Sequence, residues 1–250
     1  MRDRGAEHFP GPLHQPPVVA NVDAIQPHEH VEHPHHPKLQ HHFDDMAQQT
    51  EASTLGMWVF LVTEVMFFGG LFLAYLVYRH ADPMGFQEAS NHLNVKWGAV
   101  NTIVLIVSSL TMALAVRAAQ TSAPPKVQVG WIVATMILGS AFLGVKVIEY
   151  ADKFEHNLVP GPNFVWEGKY PAGAEMFYSL YFCMTGLHAV HMIVGLGIMT
   201  VIGIMAGRGQ FDEEYYTPVE VSGLYWHFVD IVWIFLFPLL YLIGYHYANH

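Results

Sequence analysis

Nine side chains that could carry chemistry lie inside or beside apolar stretches of this sequence. They are Glu64, Glu149, His188, His191, Glu220, Trp226, His227, Asp230 and Trp233. An ionised carboxylate near the middle of a membrane helix costs about 2.5 to 3.5 kcal/mol on insertion scales, so it must face protein or water. These residues are therefore candidates for hydrogen bonds between helices, for proton transfer or for metal binding.

The last apolar stretch, Leu224 to Tyr245, contains His227 and Asp230 three positions apart. This spacing places the imidazole and the carboxyl group on one helix face, where Trp226, Asp230 and Trp233 follow at i, i+4 and i+7. At 1.5 Å per residue the stretch is roughly 33 Å long, enough to cross a bilayer. The sequence predicts a polar seam flanked by aromatic anchors.

Glu64 lies near the middle of the apolar stretch from Leu55 to Tyr78. Either it is a buried carboxyl group that bonds a neighbouring helix, or it acts in proton transfer or headgroup contact. His188 and His191 share a face of the fourth apolar stretch. Two imidazoles at i and i+3 on one helix cannot bind opposite sides of a haem, so we favour structural hydrogen bonds over a haem or copper site.

Two further groups of charged residues lie near helix ends. Lys146 and Glu149 are three residues apart at the end of the third apolar stretch, and their spacing predicts an ion pair near the membrane surface. Glu220 lies just before the last helix, after an acidic run in the preceding link.

The composition indicates a polytopic membrane protein. Of 250 residues, 52% are hydrophobic and only 13% are charged, which is too little charge to coat a soluble protein of this size. The excess of 21 acidic over 11 basic side chains argues against binding to nucleic acid. Cys183 is the only cysteine, so no disulfide framework is expected.

Hydropathy and turn residues predict an all-α fold, a polytopic bundle of five transmembrane helices in a membrane domain of residues 55–250. The helices are expected at about 55–78, 95–116, 129–150, 175–205 and 222–246. Residues 1–54 form a tail rich in proline and histidine, most of which we predict to be disordered. Its end, DDMAQQTEAS, contains helix formers that suit an interfacial turn leading into the first membrane helix. The histidines of the tail suit a solvated tail, metal chelation or proton buffering near pH 6.5. More basic residues lie on the side of the membrane that contains the N-terminus than on the opposite side, and this bias favours a cytoplasmic N-terminus and an external C-terminus.

Four motifs, in order, resemble those of subunit III of the haem-copper cytochrome c oxidases. They are LGMWVFLVTEVMFFGGLFLAY around Glu64, FLGVKVIEY ending at Tyr150, TGLHAVHMIVG with both central histidines, and VEVSGLYWHFVDIVWIFLF from Val219 onwards. The resemblance covers Leu55 to Tyr245, which is nearly the whole predicted membrane part.

The resemblance implies a five-helix bacterial form of an accessory core subunit in the cytoplasmic membrane. Such a subunit has no haem or copper of its own, since these belong to partner subunits. It packs on subunit I, assembles with subunit II, binds phospholipid between its helices and sustains proton uptake during oxygen reduction. Cytochrome c would be the electron donor to the complex, and membership of a larger respiratory supercomplex stays open.

This sequence departs from the family pattern in three places. The larger family form has seven membrane helices, Tyr215 and Tyr216 replace a histidine pair, and the histidine-rich tail is unmatched. Two alternatives remain beside the cytochrome c oxidase interpretation. One is subunit III of a quinol oxidase, and the other is a membrane metal transporter that uses the tail as a loading arm.

Overall fold

Six helices make up residues 38–242, the part of the chain that the computed structural model describes. They are α1 (Met46–Ala81), α2 (Pro83–Asn91), α3 (Val95–Gln120), α4 (Pro125–Glu155), α5 (Pro171–Gly207) and α6 (Thr217–Tyr241). Five of them, all except α2, are long and apolar enough to cross a membrane. The predicted all-α bundle with five membrane helices is therefore confirmed, and the chain is an integral membrane protein.

The helices extend beyond the apolar stretches that predicted them. Helix α1 begins at Met46 rather than near residue 55, because the Asp45 carboxylate caps it by accepting a 2.7 Å hydrogen bond from the Gln48 amide. Residues 46–54, which we expected to belong to the tail, thus continue the first membrane helix. Residues 38–45 of the predicted tail form turns, and Lys38 among them bonds Asp212. The rest of the tail, residues 1–37, lies outside the described residues, as does the helix end expected at 246.

Helix α2 was not predicted from the sequence. Pro83 begins it, and Asp82 caps it by accepting a 3.0 Å hydrogen bond from the Gly85 amide. A Cβ atom added to Gly85 would lie 2.7 Å from the Cα atom of Gly173. The two glycines therefore let the backbones of α2 and α5 meet directly, and this contact holds α2 against one end of the bundle.

Helix α6 lies at the centre of the bundle. In its most apolar segment of 18 residues 56% is buried, against at most 33% in the corresponding segments of the other membrane helices. Helix α6 packs on α1, α2, α3 and α5. The Trp226 ring lies between Gly139 of α4 and Gly195 of α5, where added Cβ atoms would approach it to 2.7 and 2.9 Å. Its indole nitrogen donates a 3.0 Å hydrogen bond to Ser108 of α3. Trp226 thus joins four helices.

Polar contacts at the two ends of the bundle agree with five successive crossings. At one end, Lys38 of the N-terminal segment bonds Asp212 in the link between α5 and α6. In the same link the Glu213 amide donates to Ser122, which lies in the link between α3 and α4. At the other end, Glu88 of α2 accepts a 3.1 Å hydrogen bond from the Lys169 amide. The helix bounds expected from the sequence left residues 151–174 as a loop. In the structure α4 and α5 extend into it, so the loop is limited to residues 156–170, and it contacts α2 through Lys169.

The contact at Trp226 predicts a difference between two glycines of α4. Gly139→Ala should lower the free energy of unfolding by about 1 to 3 kcal/mol, because the new methyl group overlaps the indole ring. The control is Gly144→Ala, since no atom lies within 4 Å of the Cβ position at Gly144. Thermal unfolding in detergent measures both, and equal midpoints for the two variants would contradict this packing.

The Lys38–Asp212 pair predicts a pH effect. The Lys38 ammonium donates a 2.8 Å hydrogen bond to Asp212 and, with the amides of Tyr215 and Glu214, holds the pKa of that carboxyl below its ordinary value. A depressed carboxyl pKa stabilises the fold above the unfolded pKa, about 3.9, and this contribution is lost as pH falls further.

Lys38→Met should therefore cost about 0.2 to 1 kcal/mol near pH 7, since the pair is partly exposed. The part of this cost that comes from the carboxylate should shrink as the pH falls below about 4, whereas the bond from Nζ to the Gln210 carbonyl does not titrate. Thermal midpoints of both proteins between pH 3 and pH 7 test this expectation, and a gap independent of pH would show that the ion pair is not its source.

Candidate functional site

Most of the predicted site residues fall into three polar groups inside the bundle. The lysine cluster consists of Lys146, Glu149, Tyr181 and Tyr241. The Glu64–His191 pair joins α1 to α5. The α6 seam consists of Ser109, His227 and Asp230. Each group contains at least one residue that the sequence marked and one contact that only the fold creates.

The lysine cluster is largely buried and internally satisfied, with Glu149 at the edge of a cavity of about 280 Å³. Nζ of Lys146 donates to Glu149 at 2.9 Å, to Tyr181 at 3.2 Å and to Tyr241 at 2.8 Å. Both tyrosine hydroxyls in turn donate to Oε1 of Glu149. The expected ion pair is present, but it is buried, with side-chain exposures of 5% and 9%.

Every strong donor and acceptor of the lysine cluster has a partner within the cluster. Its members come from α4, α5 and α6, so the cluster locks these three helices together near the α2 end. A buried ion pair offsets its desolvation cost only when its remaining protons and lone pairs are bonded, and the two tyrosines meet that condition. The arrangement suits a structural role.

The Glu64–His191 pair has a protonation state that its geometry constrains. Nδ1 of His191 lies 2.9 Å from the carbonyl oxygen of Leu187, which can only accept, so Nδ1 carries a hydrogen. Nε2 lies 3.1 Å from Oε2 of Glu64. A hydrogen bond there needs one proton, on the carboxyl oxygen or on the ring. When such a proton is present, the two side chains share it and the pair is neutral overall.

The pair faces outward, unlike the lysine cluster. It lines a groove of about 380 Å³ whose other walls are apolar side chains of α1, α5 and α6. The side chains of His191 and Glu64 keep 15% and 18% of their surface exposed. Tyr225 of α6 donates a 3.0 Å hydrogen bond to the His191 carbonyl and so fixes the turn beneath the imidazole. The arrangement can hold a proton in contact with whatever fills the groove.

His188 and His191 serve different interfaces, although the sequence predicted a shared face. Positions i and i+3 differ by about 60° around the helix, and this turns His188 fully inward. Its ring packs on Phe142 and Trp233, with centroid distances of 5.5 and 5.3 Å. Neither ring nitrogen has a hydrogen-bond partner within residues 38–242. The predicted structural hydrogen bond is thus found for His191 and is not found for His188 within the described residues.

The α6 seam faces α3. Nδ1 of His227 lies 2.7 Å from the Ser109 hydroxyl. Asp230 is 3% exposed, and Ser109 is its polar neighbour, but neither carboxyl oxygen has a hydrogen bond of normal geometry within the described residues. Trp233 bonds Thr102 of α3 at 3.1 Å. The predicted seam with aromatic anchors is therefore present and directs α6 towards α3.

Glu220 stands apart from these groups. It lies in the first turn of α6, half-buried, where no side chain caps the helix. A carboxylate at that position interacts favourably with the unpaired backbone amides of the helix start. This interaction with the helix start is a sufficient reason for an acidic residue at the membrane boundary, and no catalytic role is needed to explain Glu220.

Several residues of these groups escaped the sequence analysis. They are Ser109, Tyr181, Tyr225 and Tyr241, and their only signal was a hydroxyl group within an apolar stretch. Such residues are common in membrane helices, and their partners lie 32 to 118 positions away in the sequence. Within the described part of the chain, no three His, Cys, Asp or Glu side chains converge as metal ligands would.

Comparison with known proteins now identifies the family. The profile described as cytochrome c oxidase subunit III matches residues 40–245. The chain belongs to this family. Cytochrome c oxidase subunit 3 of Corynebacterium diphtheriae is 35% identical over 193 residues, covering 76% of this chain and 87% of the relative. Cytochrome bo(3) ubiquinol oxidase subunit 3 of Pseudomonas aeruginosa is 30% identical, covering 81% and 91%.

The chain is thus subunit III of a haem-copper oxidase of the cytochrome c or the quinol type. Quinol oxidase subunit 3 of Bacillus subtilis is 27% identical over 214 residues and is covered to 98% of its length. Both oxidase types therefore match along nearly the whole membrane part. Of the two alternatives left open by the sequence, the family excludes the metal transporter and keeps the quinol oxidase subunit.

The lysine cluster predicts a non-additive pair of substitutions in this subunit III. Glu149→Gln and Lys146→Met should each cost about 3 to 5 kcal/mol, because each leaves a buried charge without its partner. The double variant should cost less than the sum of the two, since neither charge then remains. Thermal unfolding of all four proteins gives the coupling, and additive costs would show that the two charges do not interact.

Proposed function

We propose that this chain is an accessory core subunit of an aerobic cytochrome c oxidase and has no redox centre of its own. It packs on subunit I, with subunit II and the other subunits nearby, while haem and copper belong to the partners. It binds phospholipid and supports both proton uptake and the stability of the complex. Its N-terminus lies in the bacterial cytoplasm and its C-terminus outside.

One observation carries this proposal: the polar residues of the family motifs bond to other helices of the same chain. Trp226 and Trp233 bond α3, Glu149 bonds α5 and α6, and Glu64 bonds α5. Side chains used in this way hold a bundle together. They are not arranged to present ligands to a metal or a haem.

The two candidate haem ligands support the same conclusion. His188 is enclosed by two aromatic rings, and both ring nitrogens of His191 are in contact with oxygen atoms of Leu187 and Glu64. An axial ligand needs a free ring nitrogen directed at open space. Neither imidazole has that arrangement.

The Glu64–His191 pair supports roles in lipid binding and proton uptake. Its groove has apolar walls that suit an acyl chain, and the pair can exchange its shared proton at the groove surface because both side chains are partly exposed. A phospholipid in the groove would therefore lie next to a group that holds one exchangeable proton. This contact would couple lipid occupancy to proton supply.

Cytochrome c is the electron donor that we propose for the complex. The identity of 35% to a cytochrome c oxidase subunit exceeds the 30% and 27% to two quinol oxidase subunits. Oxygen consumption by the purified complex with reduced cytochrome c or with a quinol decides between the donors. Activity with quinol alone would assign the chain to the second type.

Removal of this chain from the complex tests the proposal as a whole. We expect purified oxidase without it to keep its haem spectrum and haem content, because the redox centres belong to other subunits. Turnover should fall several-fold more at pH 8 than at pH 6, where protons are more abundant. Loss of haem together with the chain, or unchanged turnover at both pH values, would contradict the proposal.

Glu64→Gln tests the proton role separately, because the amide cannot share the proton with His191. Turnover of this variant at pH 8 should fall towards that of the complex without the chain. Glu51→Gln is the matched control, since Glu51 is an exposed acid on the same helix. Equal turnover of the two variants would remove Glu64 from the proton pathway.

A further inference from the structure

Two adjoining grooves form an open trough along α6. Among the described helices α1 and α3 do not contact each other, and α6 lies between them as the floor. The groove between α3 and α6 has a volume of about 410 Å³, and the groove between α1 and α6 has about 480 Å³. His227 lines both. We call this surface the α1–α3 trough.

The polar floor of the trough lies deep in the membrane. His227 is roughly 15 Å along α6 from its start and roughly 21 Å from its end, at 1.5 Å per residue. The hydrocarbon core is about 30 Å thick, and the imidazole lies about 10 Å along α6 from Glu220 at the membrane boundary, which places it inside that core. Lipid headgroups do not reach this depth, and acyl chains offer no hydrogen bond.

The imidazole of His227 has one satisfied nitrogen. Nδ1 bonds Ser109, whereas Nε2 has no hydrogen-bond partner among residues 38–242. Beside it Asp230 is almost fully buried and lacks a bond of normal geometry within the same residues. A buried polar group without a partner in hydrocarbon costs several kcal/mol. His227 lines the trough, so a polar group from outside this chain can satisfy its second nitrogen, whereas the Asp230 carboxyl group is enclosed by this chain.

We propose that the α1–α3 trough receives a membrane helix of another oxidase subunit, and that a hydroxyl or amide side chain of that helix bonds Nε2 of His227. The hydroxyl of Ser109 can donate or accept, so Nε2 can be an acceptor or a donor. A hydroxyl or an amide serves both cases. This inference rests on the proposed assembly with oxidase subunits and names the face through which it occurs.

The walls of the trough suit a helix that is otherwise apolar. Ile106 on α3 and Ile231 on α6 are 52% and 50% exposed. Gly69 on α1 lines the trough, and no atom of this chain lies within 4 Å of its Cβ position. Close approach of a partner backbone is easiest at such a residue. The trough therefore offers apolar contact along its length and one hydrogen bond at its middle.

Gly69→Leu tests the trough, because Gly69 lines it and no atom of this chain lies within 4 Å of its Cβ position. The control is Gly144→Leu on α4, where the Cβ position is equally open. Complexes are purified through a tag on the haem-containing subunit, and the ratio of this chain to haem is measured. We expect Gly69→Leu to lower that ratio at least five-fold and Gly144→Leu to leave it within 20%.

Thermal unfolding of the isolated variants accompanies this measurement, so that loss of binding is separated from loss of folding. If the wild-type chain does not purify with haem, the proposed function fails. If the wild-type chain does so and Gly69→Leu binds equally well, or if both leucine variants bind equally poorly, only the assignment to the trough fails.

A photo-crosslinking amino acid at position 231 identifies the occupant. Position 137 on α4 is the control, since Ile137 is 63% exposed on a different helix. We expect position 231 to give adducts with another oxidase subunit and position 137 to give adducts with lipid only. Adducts of position 231 with lipid alone, or with a second copy of this chain, would overturn the proposal.

Discussion

The structure depends on one constraint: polar atoms at the depth of lipid tails must find their partners inside protein. Helix α6 carries many such atoms, since its two indole nitrogens, imidazole, carboxyl group and two phenols all lie within one helix of 25 residues. It is accordingly the most buried membrane helix of the bundle, and the other helices are arranged around its polar atoms. Hydrophobic association alone would not select this arrangement, because lipid is as apolar as leucine.

The glycines of α4 and α5 follow from the same constraint. The Trp226 indole reaches Ser108 only if the ring passes between these two helices, and side chains at Gly139 and Gly195 would block it. Small residues at these places thus serve a polar contact. Packing and hydrogen bonding are coupled here, because loss of the space would also remove the partner of the indole nitrogen.

The three polar groups differ in how completely this chain satisfies them. The lysine cluster is the most buried and is fully bonded, which suits a permanent connection between helices. The Glu64–His191 pair is bonded but open to a groove, and it holds one proton. The seam at His227 is the least complete, with one ring nitrogen facing the trough. This order from closed to open parallels three tasks that we assign to the subunit: holding the fold, contact with lipid and protons, and assembly with a partner.

The sequence by itself determined the class of fold, the number of membrane helices and the family, because hydropathy and local motifs are properties of neighbouring residues. It also marked Glu64, Asp230 and the two central histidines, since an ionisable group within an apolar stretch stands out without any structure. It missed α2, whose weak local signal depends on docking against Gly173.

Only the tertiary structure decided the partners. Glu64 could have bonded any helix, and its contact with His191 depends on the angle at which α1 crosses α5. His188 and His191 looked equivalent in the sequence, yet a rotation of about 60° gives one an acid and the other two aromatic rings. Hydrogen bonds act over about 3 Å, whereas these partners are many tens of residues apart. The fold alone brings them within that distance.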